Sequence, residues 1–187
     1  MPHDTRTVLL ASATALLDGG GVEAVTLREV GRLSGVSHMA PYKHFQDKES
    51  LLAVIATREM ERLADMVGHA AGTPHDPGGT LRSVLHAYVS WALEHPVRFR
   101  LIYGGPWTCP RPELERAAER TAGVMADVVR LCQSSGEMPD RDPERCTCLL
   151  LAAVHGAVQL ELAGHLTSGT DPDAVVDDLL DLLRSTR

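Results

Sequence analysis

The segment from Thr26 to Lys48 constrains the fold more than any other part of this 187-residue chain. Thr26 stands three residues before Glu29, which is the spacing of a capping box at the start of a helix. Gly35 follows one short apolar-periodic stretch, and a residue without a Cβ can turn the backbone there through positive φ. Ser37 offers a second N-cap. The segment therefore predicts a short helix, a tight turn and a second short helix ahead of a longer one.

Apolar residues recur at helical spacing along the rest of the chain as well. Bounded by stretches rich in proline and glycine, these periodic segments lie at residues 48–69, 81–94, 96–103, 113–132, 143–166 and 172–184. No alternation typical of a strand and no internal repeat interrupts them. The fold class is therefore predicted as all-α with about nine helices. Residues 1–47 are expected to form a three-helix domain with the helix-turn-helix, and residues 48–187 a larger helical domain.

The same periodicity predicts which side chains are buried. The first helix is expected to end at the glycines 19–21 and to bury one stripe, formed by Val8, Ala11, Ser12, Ala15 and Leu16. The second helix is expected to bury a stripe of its own, formed by Leu27, Val30 and Leu33. The segment 145–166 is apolar nearly all round, which predicts burial on more than one of its sides.

The net charge of −7 argues against bulk, sequence-independent binding to nucleic acid. Residues 1–60 hold six Lys and Arg against seven Asp and Glu, a balance of −1, which leaves −6 for the remainder. The chain has two lysines, and both of them, Lys43 and Lys48, lie in the opening segment. Binding to a phosphate backbone is thus expected only through placed contacts in that segment.

Other classes of site leave little trace in the sequence. No two cysteines are spaced as C-x-x-C, so buried structural thiols are expected at Cys109, Cys132, Cys146 and Cys148. The motifs G-x-S-x-G, Walker, G-x-G-x-x-G and H-E-x-x-H are missing, so no enzyme activity, cofactor or metal is expected. His155 and Glu161 keep the longest apolar run below the roughly 18 residues of a membrane span, and no signal-peptide pattern is visible. A cytoplasmic protein without a membrane partner is expected.

The second short helix has the side chains that a helix in the major groove of DNA requires. Residues at its start would face the base edges, while hydroxyls, cations and helix N-termini around it would bind backbone phosphates. His38, Met39 and Ala40 are the expected base readers. The full set of candidate DNA-binding residues is Thr26, Arg28, Ser37, His38, Met39, Ala40, Tyr42, Lys43, His44 and Lys48.

A purely structural interpretation accounts for part of this set. Thr26 and Ser37 could serve simply as helix caps, and Tyr42 simply as core. For Leu27 and Phe45 the core interpretation is preferred outright. Phosphate binding is favoured where three polar groups and an aromatic side chain fall within seven residues, at Tyr42, Lys43, His44 and Lys48.

Three runs of sequence in this region carry a further signal, namely Leu33-Ser34-Gly35-Val36-Ser37, Tyr42-Lys43-His44-Phe45 and Lys48-Glu49-Ser50-Leu51-Leu52. In these runs the chain resembles the TetR family of bacterial transcriptional regulators. Three later runs resemble the subgroup whose C-terminal domain carries a Trp-His-Gly signature, and they lie at residues 88–96, 101–104 and 154–156. Val154 stands at the tryptophan position of that signature.

The resemblance implies a homodimer that binds a pseudo-palindromic operator in double-stranded DNA through residues 1–47. It implies repression that is relieved when a small-molecule effector binds the C-terminal domain, residues 48–187. It also implies a four-helix dimer interface from the helices near 145–166 and 172–184 of two copies, although these helices could instead close the core of one copy. The alternative function is a helical ligand-binding protein that has lost specific DNA binding.

Two residues depart from the family pattern. Gly31 stands where the family usually has alanine, at a cost of about 1 kcal/mol in helix propensity. Pro41 lies four residues after Ser37, where it would forfeit the first intrahelical hydrogen bond of a helix capped by that serine. Either the recognition helix starts late, or its first turn is distorted.

Aromatic residues are concentrated in one part of the chain, since five of the seven lie between positions 88 and 107. Tyr88, Trp91 and His95 are expected to share one helix face by their i, i+3, i+7 spacing. The cluster could be simply the core of the larger domain, or it could line the effector cavity that the resemblance implies. The candidate ligand-binding residues are Tyr88, Trp91, His95, Phe99, Tyr103, Trp107, Met125, His155 and Gln159.

Overall fold

The computed structural model describes residues 4–71, 76–167 and 169–185. Across these ranges the chain forms nine helices and no strand, which confirms the all-α prediction. The helices are α1 Thr5–Ala24, α2 Leu27–Leu33, α3 Ala40–His44, α4 Lys48–Ala71, α5 Pro77–Glu94, α6 Pro96–Gly104, α7 Pro112–Ser134, α8 Pro143–Leu162 and α9 Pro172–Ser185.

The helices belong to two compact units. Unit 1 comprises Met1–Met60 together with His95–Arg116, so α6 belongs to the same unit as the first three helices and contacts α1, although it lies far from them in sequence. Unit 2 comprises Glu61–Glu94 and Ala117–Arg187. Helix α4 supplies residues to both units.

Helix α1 buries a different stripe from the predicted one. Its buried side chains are Leu9, Leu10, Ala13 and Leu17. This stripe contains three leucines, whereas the predicted one is mostly alanine and serine, so it removes more apolar surface from water. The predicted stop at the glycines is a kink, because Gly21 has φ 72° and the helix resumes to Ala24.

Helix α2 starts as predicted but turns one expected core residue outward. The Thr26 hydroxyl accepts a hydrogen bond from the Glu29 backbone N–H at 3.1 Å, while the Glu29 carboxylate pairs with Arg32 at 2.8 Å. Leu33 is 46% exposed, so its predicted burial is wrong. Six residues after Leu27, it lies about 120° around the helix from that buried leucine, at roughly 100° per residue.

Helix α3 starts late. Ser37 was expected to cap it, but the first helical residue is Ala40 and the N-cap is Met39, which makes no side-chain capping bond. The Ser37 carbonyl instead accepts from the Ala40 N–H at 2.9 Å in the preceding turn. With this start Pro41 falls in the first helical turn, where a missing N–H loses no intrahelical bond.

Gly31 and Pro41, the two residues that depart from the family pattern, lie in contact with each other. Pro41 is buried, and a Cβ built on Gly31 would lie 3.1 Å from Pro41 Cγ and 3.7 Å from His38 Cα. The first of these distances is tighter than ordinary van der Waals contact between carbon atoms. The missing methyl at Gly31 therefore makes room for the proline that opens the next helix.

A charged cluster joins three helices of unit 1. Arg98 on α6 binds the Asp18 carboxylate of α1 with two nitrogens, at 2.9 and 2.6 Å, and Glu59 of α4 at 3.2 Å. Glu59 is buried, and the Arg98 side chain is mostly so. The hydrogen bond and charge of Arg98 hold the pKa of Asp18 below its usual value despite the opposing effect of burial.

In unit 2 the helices α5, α8 and α9 pack against one another. Helix α5 begins at Pro77, four residues before the predicted start, and residues 72–75 of the predicted loop lie outside the described residues. Helix α8 ends at Leu162 rather than 166. There Gly164 takes φ 68° and the His165 N–H bonds the Leu160 carbonyl at 2.8 Å, closing a glycine C-cap.

Helix α8 is buried on one side only within this chain. Cys146, Leu150, Val154 and Val158 face the core, but Leu149 is 71% exposed, so the predicted burial on a second side is not met within one copy of the chain. By length and composition this helix could also cross a membrane, with a mean hydropathy of 1.2 over 18 residues. A core helix of a globular domain meets the same criterion, so this is weak evidence.

The expectation of buried thiols holds for half of the cysteines. Cys132 and Cys146 are buried, and burial raises the pKa of Cys132 to about 11. Cys109 and Cys148 are exposed, so the prediction is wrong for them. Both lie where neighbouring helices leave them uncovered, Cys109 in the loop after α6 and Cys148 on the outer side of α8.

We predict that Gly31 and Pro41 are energetically coupled. Gly31→Ala should gain up to about 1 kcal/mol of helix propensity in a Pro41→Ala background, where the new methyl has room. In the wild-type background much of that gain should be lost, because Pro41 must move by several tenths of an ångström. Urea unfolding of the four proteins of this double-mutant cycle measures the coupling, and strictly additive changes would contradict it.

A cluster between α5 and α9 predicts pH-dependent stability. His86 lies between Asp173 and Asp177, with its Nε2 2.9 Å from Asp177, and Arg82 binds Asp177 and Asp181. Burial lowers the pKa of His86, but its hydrogen bonds to the two carboxylates outweigh burial and leave the pKa raised. The stabilisation is therefore complete below the unfolded value of about 6.5 and is lost as pH rises through the folded value.

The expected result is a difference between wild type and His86→Gln in unfolding free energy that is largest near pH 6 and shrinks towards pH 8. Chemical unfolding at fixed ionic strength across this range measures it. Taking the difference cancels the titration of the other histidines. A difference that stays constant or grows with pH would contradict the assignment.

Candidate functional site

The predicted DNA-binding residues lie together on the surface of unit 1. Tyr42 is 51% exposed, so it is not core. Lys43 and His44 are exposed on the same short helix, while Phe45 is buried as expected, with the Arg6 guanidinium 5.6 Å from its ring centre. The sequence analysis therefore distinguished correctly between the exposed side chains of this motif and the buried Phe45.

The expected base readers occupy the turn and the first residue of α3. His38 and Met39 lie in the turn and are exposed, and Ala40 is half-buried at the first helical position. The late start of the helix thus moves two of these residues off it. Ser37 is exposed just before the turn.

Thr26 and Arg28 lie at the start of α2, and both are exposed. The Thr26 oxygen accepts the Glu29 N–H, which leaves the hydroxyl hydrogen able to donate to a phosphate. Among the described residues Arg28 makes no ion pair, so its charge is open to solvent.

Lys48 is the first residue of α4, where the helix dipole also favours an anion. Its ammonium lies 3.6 Å from the Glu23 carboxylate, which is almost fully exposed. A pair this exposed is weak and can be displaced by a phosphate. The helix has its own cap, because the Asp47 carboxylate accepts the Ser50 N–H at 2.7 Å.

The sequence analysis missed a contact to the residue that follows Lys48. The Glu49 carboxylate accepts hydrogen bonds from Thr108, at 2.9 Å from the backbone N–H and 2.7 Å from the hydroxyl, and pairs with Arg111. The partners are about 60 residues apart in sequence, so no local pattern links them. The one sequence feature that points to this contact is a charged residue, Arg111, in a loop rich in proline. That feature is too common to identify a partner.

The predicted ligand residues are divided between the two units. In unit 2 Tyr88, Trp91 and Met125 are buried, and the Tyr88 hydroxyl lies 2.9 Å from His155 Nδ1. Burial lowers the pKa of His155, which favours the neutral ring, and Nδ1 can accept a hydrogen bond from the Tyr88 hydroxyl in the tautomer that carries its proton on Nε2. The other ring nitrogen is 3.4 Å from the amide nitrogen of Gln159.

The remaining predicted ligand residues belong to unit 1. His95 is the N-cap of α6, beyond the end of α5 at Glu94, so its predicted place on one helix face with Tyr88 and Trp91 is wrong. Pro96 ends that helix because it cannot donate a backbone hydrogen bond. Phe99 is completely buried, with its ring 5.2 Å from that of Tyr103, which is exposed. Trp107 is half-buried in the following loop.

Family models match both parts of the chain. Residues 9–55 match the model of bacterial regulatory proteins of the tetR family. Residues 81–183, more than half of the chain, match the model described as the tetracyclin repressor-like C-terminal domain. The first match covers the helix-turn-helix with its exposed polar side chains.

Curated relatives carry the same class of name. The chain is 26% identical to the HTH-type transcriptional regulator Rv1816 of Mycobacterium tuberculosis, with 87% of this chain and 82% of the relative covered. It is 27% identical to the HTH-type transcriptional repressor Rv1474c of the same species, with 97% of each covered. The family and these relatives are transcriptional regulators and not enzymes.

Solved structures share the fold. A protein of unknown function from Rhodococcus sp. RHA1 is 30% identical with a TM-score of 0.87, covering 98% of this chain and 95% of that one. The transcriptional regulator FadR from Bacillus subtilis, solved in complex with stearoyl-CoA, has a TM-score of 0.77 at 14% identity, covering 97% and 98%. The latter similarity concerns the fold alone. The chain belongs to the tetR family of bacterial regulatory proteins and is a sequence-specific, DNA-binding regulator of transcription.

Proposed function

We propose that the exposed surface around α3 binds the operator, and that Tyr42 and Lys48 hold its phosphates. The observation that carries this proposal is the exposure of Tyr42 and Lys43 beside the N-terminus of α4, where Lys48 and the helix dipole both favour an anion. Thr26, Arg28, Ser37 and His44 complete the phosphate contacts. In this proposal residues 1–47 form the DNA-binding domain, and residues 48–187 carry effector binding and dimerisation.

Base recognition is assigned to His38, Met39 and Ala40. Because α3 starts at Ala40, the first two would reach the bases from the turn rather than from a helical face. A turn fixes side chains less firmly than a helix with intrahelical hydrogen bonds does. The phosphate contacts therefore set affinity and register, and these three residues read the bases.

A second copy of the chain is the proposed occupant of the outer face of α8 and α9. Leu149, Leu160 and Leu182 are 71%, 47% and 67% exposed, and the first two lie 11 residues apart on one side of α8. Such large exposed aliphatic side chains favour an interface. A two-fold dimer reads a pseudo-palindrome with half-sites about 34–36 Å or a multiple apart, as expected for a helix-turn-helix protein.

Release from the operator by a small molecule is proposed for unit 2. Tyr88 and His155 supply a neutral hydrogen-bonding pair among buried apolar side chains, the composition of a small-molecule site. The effector needs only a different affinity for the DNA-bound and free states. Stearoyl-CoA, the ligand of the Bacillus FadR, is a reasonable first compound to titrate into the DNA complex. The protein is proposed to act in the cytoplasm as a repressor.

We predict that Tyr42→Ala combined with Lys48→Ala lowers operator affinity at fixed salt by tenfold or more. A charge-assisted hydrogen bond to phosphate is worth roughly 1.5–3 kcal/mol before relaxation. The slope of log K against log salt should fall by about one for each phosphate that no longer has its cation. Fluorescence anisotropy with a duplex selected from a randomised library by the wild-type protein measures both quantities.

The matched control is Arg116→Ala. Arg116 is an exposed arginine that pairs only locally with Glu113 at 3.3 Å, outside the proposed surface. The Arg116→Ala substitution should leave the operator affinity and the slope of log K against log salt unchanged. Wild-type affinity of the double variant would refute the assignment of Tyr42 and Lys48 to phosphates.

We predict that Leu149→Glu or Leu182→Glu produces a monomer. A charge placed in an apolar interface must be desolvated on association, which costs several kcal/mol. Sedimentation velocity at micromolar concentration should give a dimer for wild type and a monomer for either variant. A wild-type mass equal to that of one chain would exclude the dimer under these conditions.

Leu131→Glu is the control for this experiment. Leu131 is 44% exposed on α7, outside the proposed interface, so the same substitution should leave the dimer intact. Equal dissociation by this variant would show that the effect follows from the charge itself and not from the face it occupies.

A further inference from the structure

The Glu49 side chain is held by the loop that follows α6. Its two oxygens accept the Thr108 backbone N–H at 2.9 Å and the Thr108 hydroxyl at 2.7 Å, and the Arg111 guanidinium pairs with the same carboxylate. All three residues belong to unit 1, and the carboxylate is mostly shielded from solvent. We call this group of Glu49, Thr108 and Arg111 the clasp.

The clasp stabilises the charged form of Glu49. The two hydrogen bonds from Thr108, followed by the hydrogen bond from Arg111, lower the pKa of Glu49 to about 2. The carboxylate is thus an anion at any pH at which DNA binding is measured. Its immediate neighbour in the chain is Lys48, which we have placed on a phosphate.

The clasp is not needed to start the helix. Asp47 and Ser50 already cap α4, since the Asp47 carboxylate accepts the Ser50 N–H at 2.7 Å and the Ser50 hydroxyl accepts the Asp47 N–H at 3.1 Å. The Nε of Arg111 is buried without a hydrogen-bond partner among the described residues. Burial of an unsatisfied donor is unfavourable, so stability alone does not account for this arrangement.

The loop that presents the clasp is stiff. Pro106, Pro110 and the first residue of α7, Pro112, restrict its backbone. The Trp107 ring packs so closely on Gly105 that a Cβ there would collide with it, and the Trp107 N–H bonds the Gly105 carbonyl at 2.8 Å. These restraints limit the conformations from which Thr108 and Arg111 approach Glu49, which lowers the entropic cost of holding it.

We propose that Thr108 and Arg111 are positioning residues for DNA binding. Through Glu49 they hold the first turn of α4, so that Lys48 meets the phosphate in a fixed position. Arg111 also neutralises the charge of Glu49. Without it, this carboxylate, next to Lys48 in the chain, would repel the same phosphate. This inference rests on the phosphate contact proposed for Lys48.

The test is a set of charge-rescue and double-mutant measurements on the full-length protein with the selected duplex. Arg111→Gln leaves Glu49 as an uncompensated anion and should weaken binding roughly tenfold, the scale of one charge-assisted hydrogen bond. Adding Glu49→Gln removes that anion and should restore affinity to within about threefold of wild type. A destabilisation caused by the unpaired carboxylate would also be relieved by Glu49→Gln, so circular dichroism of each variant under the binding conditions must first show the helix content of wild type.

Energetic coupling between Arg111 and Lys48 distinguishes an effect on the Lys48 contact from a general loss of DNA affinity. The effect of Arg111→Gln should fall below about threefold in a Lys48→Ala background and stay roughly tenfold in a Lys43→Ala background. The salt slope should fall with Arg111→Gln and recover in the charge-rescue double variant. Arg116→Gln, an exposed arginine of α7, is the control and should bind as wild type does.

The possible failures are distinguishable. If Lys48→Ala weakens binding and Arg111→Gln does not, the clasp has no role and the inference is overturned while the proposed contact stands. If Lys48→Ala has no effect, the proposed contact itself fails. If Arg111→Gln does not fold by circular dichroism, Thr108→Val takes its place; a decrease of about threefold in affinity that disappears in the Lys48→Ala background supports the clasp, and unchanged binding overturns it.

Discussion

The pairing of Arg98 with Asp18 and Glu59 is the contact on which the geometry of unit 1 depends. One guanidinium joins α1, α4 and α6, with two hydrogen bonds to Asp18 and a third to the buried Glu59. The pair with Glu59 is shielded from water and therefore weakly screened, so losing its partner would be costly, whereas Asp18 is partly exposed. Helix α1 supports α2 and α3, and α4 begins with Lys48, so the position of every proposed DNA contact rests on helices that this arginine holds together.

The contact between Gly31 and Pro41 determines where the recognition helix begins. Either departure from the family pattern would be unfavourable alone, since glycine weakens a helix and proline blocks a helix that starts at Ser37. Together they fit, because the proline ring occupies the space that a Cβ on Gly31 would take and falls in the first turn of a helix that starts at Ala40. The shorter helix leaves His38 and Met39 in a turn, so the same contact also bears on the base recognition proposed for these residues.

What the sequence could predict was mostly local. The nine helices, the Thr26 cap and the turn at Gly35 follow from spacing and from side-chain chemistry within a few residues. The predictions that Leu33 is buried and that α1 buries the stripe beginning at Val8 were wrong. Several faces of a short apolar helix satisfy the same periodicity, and the helix that packs against it determines which face is buried. The pairing of Glu49 with Arg111 was invisible for a related reason, since nothing local links residues 62 positions apart. The ligand residues stay a prediction.

A chain of net charge −7 must bind DNA by local compensation of its own acidic groups. Near the proposed surface Glu29 pairs with Arg32, Glu49 pairs with Arg111, and the Asp47 carboxylate caps α4. The two ion pairs offset negative charge near the proposed phosphate contacts, while Lys43 stays exposed and Lys48 is held only by a weak pair. Without a broad basic field, we expect low affinity for random DNA. Binding then requires that the few placed contacts meet their phosphates together, and this requirement favours the operator over other sequences.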